Sequence, residues 1–464
     1  MTRRATRSAV AVLVGLSLVA AACGGDDDDP AGGDTTQAPA PTDGGDPGTT
    51  EAPPTDGGDD GFDTDEFAGQ EVVIMSTFDG EEGERYNRAW ADFEAATGIE
   101  IIHENTNTLE DDVRIRAEGG DAPDLAILPQ PGLLATLARS NLLTPLTSLH
   151  QGVLDNNVAG FDEYGTVDGT FYAPPFGAGI KSIVWYNTAA WADAGYEVPE
   201  TWGEWIALAD KMVADGNTPF CIGIESGGAT GWPLTDWVEE VLLRTSPPEV
   251  YDQWVNHEIP FNDPAIVEAL DTVGSILRNP DYVGDVQAIP SISHGDAGLG
   301  MVDGRCWMYQ HPNWWGSNLP DGTTFGPDGE YNVFFEPMMD ADDPRAVLGG
   351  GEFIAAFNDR PVVEFVAKYL TSADYANNRM AEGGSWISPN TQADPGNIPD
   401  TDPLTRQVAE FLVTADVFRF DGSDLMPSEI GADAFWKQMV DWVVGDVTTE
   451  EALTNIENVW AGLG

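Results

Sequence analysis

Apolar runs and helical periodicities alternate regularly from residue 72 onward. Val72-Val73-Ile74-Met75 reads as a short buried strand. Tyr86, Trp90 and Phe93 then recur at helical spacing, and Gly98 stands where a left-handed residue would close that helix. The pattern next predicts strand over Ile99 to Ile102, helix over Leu109 to Glu118, strand over Leu125 to Leu128 and helix over Leu133 to Ser140. Three strand–helix units in succession predict an α/β fold with a parallel sheet and covering helices. Ligands of such sheets collect at the carboxyl ends of the strands. That rule puts Ser76-Thr77-Phe78-Asp79-Gly80 and Pro129-Gln130-Pro131-Gly132 on one rim. Gly and Pro there suit close approach of backbone to a ligand, and they suit plain turns equally well. Further on, Thr201-Trp202-Gly203-Glu204 is a capping box opening a helix with Trp205, Leu208 and Met212 on one face. Phe435 to Val444 and Thr449 to Trp460 predict a helical pair split by Gly445-Asp446.

The N-terminus follows a different rule. Arg3, Arg4 and Arg7 precede an apolar run from Ala9 to Ala22, the arrangement of an export signal over residues 1–22. The run falls short of the about 20 residues that span a hydrocarbon core. Ala20-Ala21-Ala22-Cys23 resembles the bacterial lipoprotein box, in which cleavage leaves a lipidated cysteine, here Cys23. An ordinary secretory signal is the competing reading, and it would leave Cys23 an unpaired reactive thiol. From Gly24 to about Phe67 the chain is almost wholly Gly, Asp, Pro, Thr, Ala and Glu. Such a segment buries too little apolar surface to offset its ordering entropy, so residues 23–69 are expected to form a disordered acidic tether. Export places the protein outside the cytoplasmic membrane, away from ATP and nicotinamide pools.

The body beyond residue 70 exceeds one compact core and predicts two lobes. With 79 Asp plus Glu against 20 Lys plus Arg, the formal net charge is −59. That field excludes nucleic acid and anionic lipid surfaces as ligands. Fifteen Trp are a second departure, suggesting aromatic surfaces built to receive something. Cys221 and Cys306 are the only other cysteines, and in an exported protein an even pair reads as one disulfide. Catalytic motifs do not emerge. Ser226 in Ile224-Glu225-Ser226-Gly227-Gly228 lacks the first glycine of a nucleophile elbow, and neither His103-Glu104 nor His257-Glu258 extends to a zinc motif. No phosphate loop or dinucleotide fingerprint is present, and no cofactor or metal is expected.

Several spaced segments carry a family resemblance. Gly119-Gly120-Asp121-Ala122-Pro123-Asp124 with Pro129-Gln130-Pro131-Gly132, Lys181 to Asn187, and Val198-Pro199-Glu200-Thr201-Trp202 are three of them. Thr230-Gly231-Trp232-Pro233-Leu234-Thr235-Asp236-Trp237 and Ala434-Phe435-Trp436 are the most specific, and Cys221 and Cys306 fall where this branch carries its cysteine pair. From about Gln70 to its end, the chain resembles the extracellular solute-binding proteins of carbohydrate ABC importers. Its nearest likeness is the α-glucoside-binding branch of the maltodextrin-binding superfamily.

The resemblance implies a type II periplasmic-binding-protein-like fold, with two α/β lobes joined by crossing hinge strands. Residues 70–180 and 338–385 are expected in the first lobe, 181–337 and 386–464 in the second. It implies Trp436 as a platform for a sugar ring, with Trp232 and Trp314 as further cleft aromatics. Asp79, Gln130 and Glu352 are expected to meet hydroxyls from the first lobe, Asp236 and Asn313 from the second, and Trp386 to close the cleft. For each polar residue a helix cap or solvated turn is the plain alternative, and for each tryptophan ordinary core. The expected function is a non-catalytic, lipid-anchored, monomeric receptor that hands an oligosaccharide to a membrane permease. A surface glycoside hydrolase and a receptor for a neutral polyol are the alternatives.

Overall fold

A computed structural model describes residues 62, 64–158, 160–320, 322–384 and 386–463. The predicted export signal, Cys23 and most of the acidic tether lie outside the described residues. The first elements are Glu71–Ser76 (β1), Gly80–Thr97 (α1), Glu100–Asn105 (β2), Leu109–Gly119 (α2), Leu125–Leu128 (β3) and Pro131–Arg139 (α3). Each matches its apolar run to within a few residues. Gly98 ends α1 at φ 69°, its amide bonded to the Glu94 carbonyl. β1 pairs in parallel with both β2 and β3.

The sheet is mixed rather than wholly parallel. Four further strands are Pro175–Ile180 (β4), Ile183–Asn187 (β5), Met308–Gln310 (β6) and Tyr331–Phe335 (β7). Two more are Ala346–Ala356 (β8) and Val417–Phe420 (β9). β8 runs antiparallel to β3 and to β4, and β9 pairs with it in parallel. The six-stranded sheet thus has the order β9-β8-β3-β1-β2, with β4 also on β8. The local strand–helix pattern could not show this, because β8 arrives from more than 200 residues away.

A second, three-stranded antiparallel sheet has the order β6-β5-β7. The two sheets have separate cores. Along β3, Leu125 and Ile127 enter one core while Ala126 and Leu128 enter another on the opposite face, the period of two that a strand imposes. Around the second sheet, Val184 faces the core of Trp205, Trp237, Trp254 and Trp442, while Ile183 and Trp185 face that of Tyr309 and Trp315. β8 belongs to both halves. Ala346, Val347 and Leu348 lie in the cores of the second sheet, and Phe353 to Ala356 in those of the first. The chain crosses again between β4 and β5 at Lys181-Ser182, where the Ser182 hydroxyl accepts the Leu348 amide at 2.7 Å.

Cys221 and Cys306 form a disulfide with Cα atoms 5.2 Å apart, 85 residues apart in sequence. The helix Trp202–Ala214 (α4) begins as the capping box predicts on one side only. Thr201 Oγ1 accepts the Glu204 amide, but Glu204 accepts from Glu200 N at 2.9 Å instead of from Thr201. Trp232–Thr245 (α5), Trp436–Val444 (α6) and Thr449–Leu463 (α7) complete the elements used below. A wide turn of π-helix over Ile430–Phe435 leads into α6, and Trp436 leaves the core that holds Phe435.

Candidate functional site

A cleft of about 370 Å³ opens between the halves. The carboxyl ends of β1 and β3 bring Thr77, Phe78, Asp79, Pro129 and Gln130 to it, on the rim that the strand-end rule predicts. The crossing strands supply its floor with Gly350, Gly351, Glu352 and Lys181. The second half supplies Glu225, Trp232, His294, Trp314 and Trp436. Bare glycines make room for these groups. A Cβ on Gly179 would stand 2.5 Å from the Trp314 ring, and one on Gly177 2.1 Å from Glu352 Oε2.

Three indoles face the space. The Trp232 and Trp314 rings are 6.5 Å apart at 33°. Trp436 is only 3% exposed, yet it joins none of the hydrophobic cores; the closed cleft covers it. Its indole Nε1 and the side-chain oxygen of Gln130 are buried without a hydrogen-bond partner among the described residues. Gln130 spends its amide nitrogen on Glu110, at 2.9 Å. A buried donor and a buried acceptor left unmade cost free energy until something pairs them.

Carboxyl groups dominate the charge. Burial, reinforced by Glu82, pushes the Glu352 carboxyl up to about 7, and burial with Asp79 nearby does the same for Glu82. Lys181 is the cation of the cleft floor. Burial opposes its charge, but Asp236, Asp421 and Asp424 outweigh that and hold its pKa well above the usual value. Its ammonium bonds Asp236 Oδ1 at 2.9 Å and also contacts Asp421. Burial raises the Asp421 carboxyl, yet Lys181 more than reverses this and keeps it ionised. Burial pushes the Asp236 carboxyl up beyond what Lys181 offsets.

The sign of the Glu352 effect is testable. Its folded pKa exceeds 4.5, so the folded state binds more protons, and stability declines as pH rises from about 4.5 to about 7. Glu352→Gln is expected to match wild type in melting temperature near the acid end. At about pH 8 it should be the more stable protein, by on the order of 1 kcal/mol once residual solvation is allowed for.

The two lips meet at Asn107 and Gly228. Gly228 N donates to Asn107 O at 3.1 Å across the cleft mouth. Each lip is fixed from behind, Thr106 and Thr108 by Asp112 and the Gly227 amide by Glu225. Gly227 has φ +58°, and a Cβ there would stand 2.5 Å from Asn107 O. Gly227→Ala is therefore expected to strain the backbone whether the mouth is open or shut, and to penalise the closed form further through the clash with Asn107 O. Ligand affinity should fall roughly tenfold through faster release, and the ligand-free protein should also lose about 1 kcal/mol of stability from the strained backbone, read by calorimetry and thermal melts.

Of the residues expected to bind, the structure places Asp79, Gln130, Trp232, Trp314, Glu352 and Trp436 on the cleft wall. Asp236, Asn313 and Trp386 stand behind it. Asp236 is taken up by Lys181 beneath the floor. Asn313 Oδ1 accepts the Ile180 amide at 2.7 Å and so secures a crossing strand. Trp386 packs on Phe176 and Tyr375 in the core of the first sheet. Glu82, Glu110, Lys181 and His294 were missed. The strand-end rule extended to the first turns of α1 and α2 reaches both glutamates. His294 lies in a short helical turn, His294–Ala297, with no periodic signal around it.

Comparison with known proteins agrees with this architecture. Residues 79–377 match the model of the family described as bacterial extracellular solute-binding protein. A Synechocystis sp. protein named for binding osmoprotective compounds is 39% identical over 84% of this chain and 92% of its own. An α-glucosides-binding periplasmic protein of Rhizobium meliloti is 38% identical over 84% of this chain and 87% of its own. A solved bacterial solute receptor, described as preferring β-D-galactopyranose, superposes with TM-score 0.72 at 16% identity, covering 85% of this chain and 99% of its own. A maltose-bound T. maritima protein gives 0.67 at 20% identity, over 85% of this chain and 100% of its own. Two lobes joined by crossing strands, a cleft between them and a family match over most of the chain make this protein a member of the bacterial extracellular solute-binding proteins, with the type II periplasmic-binding-protein fold.

Proposed function

We propose that this protein captures a carbohydrate, an α-glucoside or another oligosaccharide, by closing its two lobes, and delivers it to the permease of an ABC importer. The observation that carries the reading is the cleft wall. It combines flat indoles, carboxyls and two buried polar atoms awaiting partners, Gln130 Oε1 and Trp436 Nε1. A saccharide has apolar C–H faces for the indoles, and each hydroxyl both donates and accepts. The wall sets seven carboxyl groups against the single Lys181 ammonium, which is already paired with Asp421, so it offers an anionic solute no free cation. The name of the Synechocystis relative supports a second reading, in which the solute is a small neutral osmoprotectant such as a polyol or its glycoside.

In this reading the protein is a monomer without catalysis, its lobes divided at 70–180 with 338–385 and 181–337 with 386–464. Cys23 carries a lipid that holds it on the outer face of the membrane, and the acidic tether spaces it from the permease. Calorimetry with maltose, trehalose, sucrose and glycosylated polyols tests the reading. Saturable binding of one of them with no product formed is expected. Absence of binding across the whole set would overturn the solute class, and turnover of the bound sugar would overturn the receptor role in favour of a glycoside hydrolase. Cys23→Ser is expected to release the protein from membranes into the medium.

A further inference from the structure

We propose that His294 reads a hydroxyl of the bound solute through its Nε2–H, and that His311, buried behind it, fixes the tautomer that puts the proton there. This rests on the solute-capture reading and names a specificity residue within it. His294 lines the cleft and is held at three points. Its amide donates to Glu225 O at 3.1 Å, its carbonyl accepts the Tyr309 hydroxyl at 2.5 Å, and its Nδ1 lies 3.2 Å from His311 Nε2. Trp232 covers both imidazoles, with centroids 5.1 Å from each, and Tyr309 stacks on His311 at 4.7 Å. The ring of His294 is therefore oriented before any ligand arrives.

One proton is shared between Nδ1 of His294 and Nε2 of His311, so two arrangements compete. If His294 donates, His311 must carry its own proton on Nδ1. That atom is fully buried and has no partner among the described residues. If His311 donates from Nε2, its Nδ1 is a bare lone pair, and the His294 proton moves to Nε2. Two fields favour the second arrangement. Lys181 acts on His311 as a positive charge, which suits a lone pair and opposes a further proton. Glu225, Asp296 and Asp79 act on His294 as negative charges, which suit a proton on the nitrogen left toward the cleft. Both imidazoles remain neutral, since burial disfavours the cation in each. A cleft rich in acceptors thus gains a rigid neutral donor, able to recognise a hydroxyl or ring oxygen.

Nitrogen-15 NMR of histidine-labelled, ligand-free protein at neutral pH tests the tautomer without any ligand. His294 should show a protonated Nε2 and a bare Nδ1; protonation at Nδ1 would overturn the assignment. Binding then tests the role, using whichever saccharide or polyol the calorimetric set identifies. His294→Ala should weaken it about tenfold or more, while His294→Gln, whose amide keeps a donor, should stay within a few-fold of wild type. His311→Phe should keep the fold, weaken binding several-fold and move the His294 resonances towards mixed tautomers. Unchanged affinity in His294→Ala would refute the contact. Wild type that binds no compound of the set would instead defeat the capture reading, and the resonance pattern would still decide the tautomer.

Discussion

Lys181→Met is expected to lower unfolding free energy by about 3–5 kcal/mol at neutral pH, the cost of leaving a buried charge without its partner. Lys181 sits where the chain crosses between lobes, and its ammonium neutralises the ionised Asp421. Without it, Asp421 retains only its neutral donors, the Ser423 hydroxyl and the Asp424 amide, each at 2.8 Å. The carboxyl would then titrate higher in the folded than in the unfolded state. The folded variant binds the extra proton, so its deficit should shrink as pH falls through the carboxyl range and grow as pH rises. Chemical denaturation of both proteins across that range measures it. A deficit that does not change with pH would show that packing, and not charge, is what the lysine supplies.

Trp436→Ala is expected to weaken ligand binding by one to a few kcal/mol, the range for a central aromatic anchor. Loss of fold should be small, because the ring is covered by the closed cleft and belongs to none of the four cores. Trp442, six residues on, provides the contrast. It is fully buried in the core of the second lobe, so Trp442→Ala should cost about 3–5 kcal/mol of stability and leave affinity nearly intact wherever the protein remains folded. Calorimetry and thermal melts on the two variants separate the roles. Equal affinity in Trp436→Ala and wild type would remove this indole from the site.

The local elements were legible because short-range rules govern them. Leu125 to Leu128 is a strand to the residue, and Gly98 ends its helix as a left-handed cap. The mixed sheet was not legible, since the pairing of β8 with β3 joins residues 353–356 to 125–128. The site divided along the same line. Residues at strand ends, such as Asp79 and Gln130, could be placed by rule, and the three cleft tryptophans by family resemblance. Asp236 and Asn313 misled because sequence does not say which neighbour claims a polar side chain first. Lys181 claims one and the Ile180 amide the other. His294 was invisible for a related reason, its meaning arising only from His311, 17 residues on in the chain.

The contact of Gly228 with Asn107 has a practical consequence. A main-chain amide that is hydrogen-bonded only while the mouth is shut exchanges with deuterium only while it is open. Its exchange rate is therefore a built-in clock for the gaping state, readable without dye, spin label or engineered cysteine.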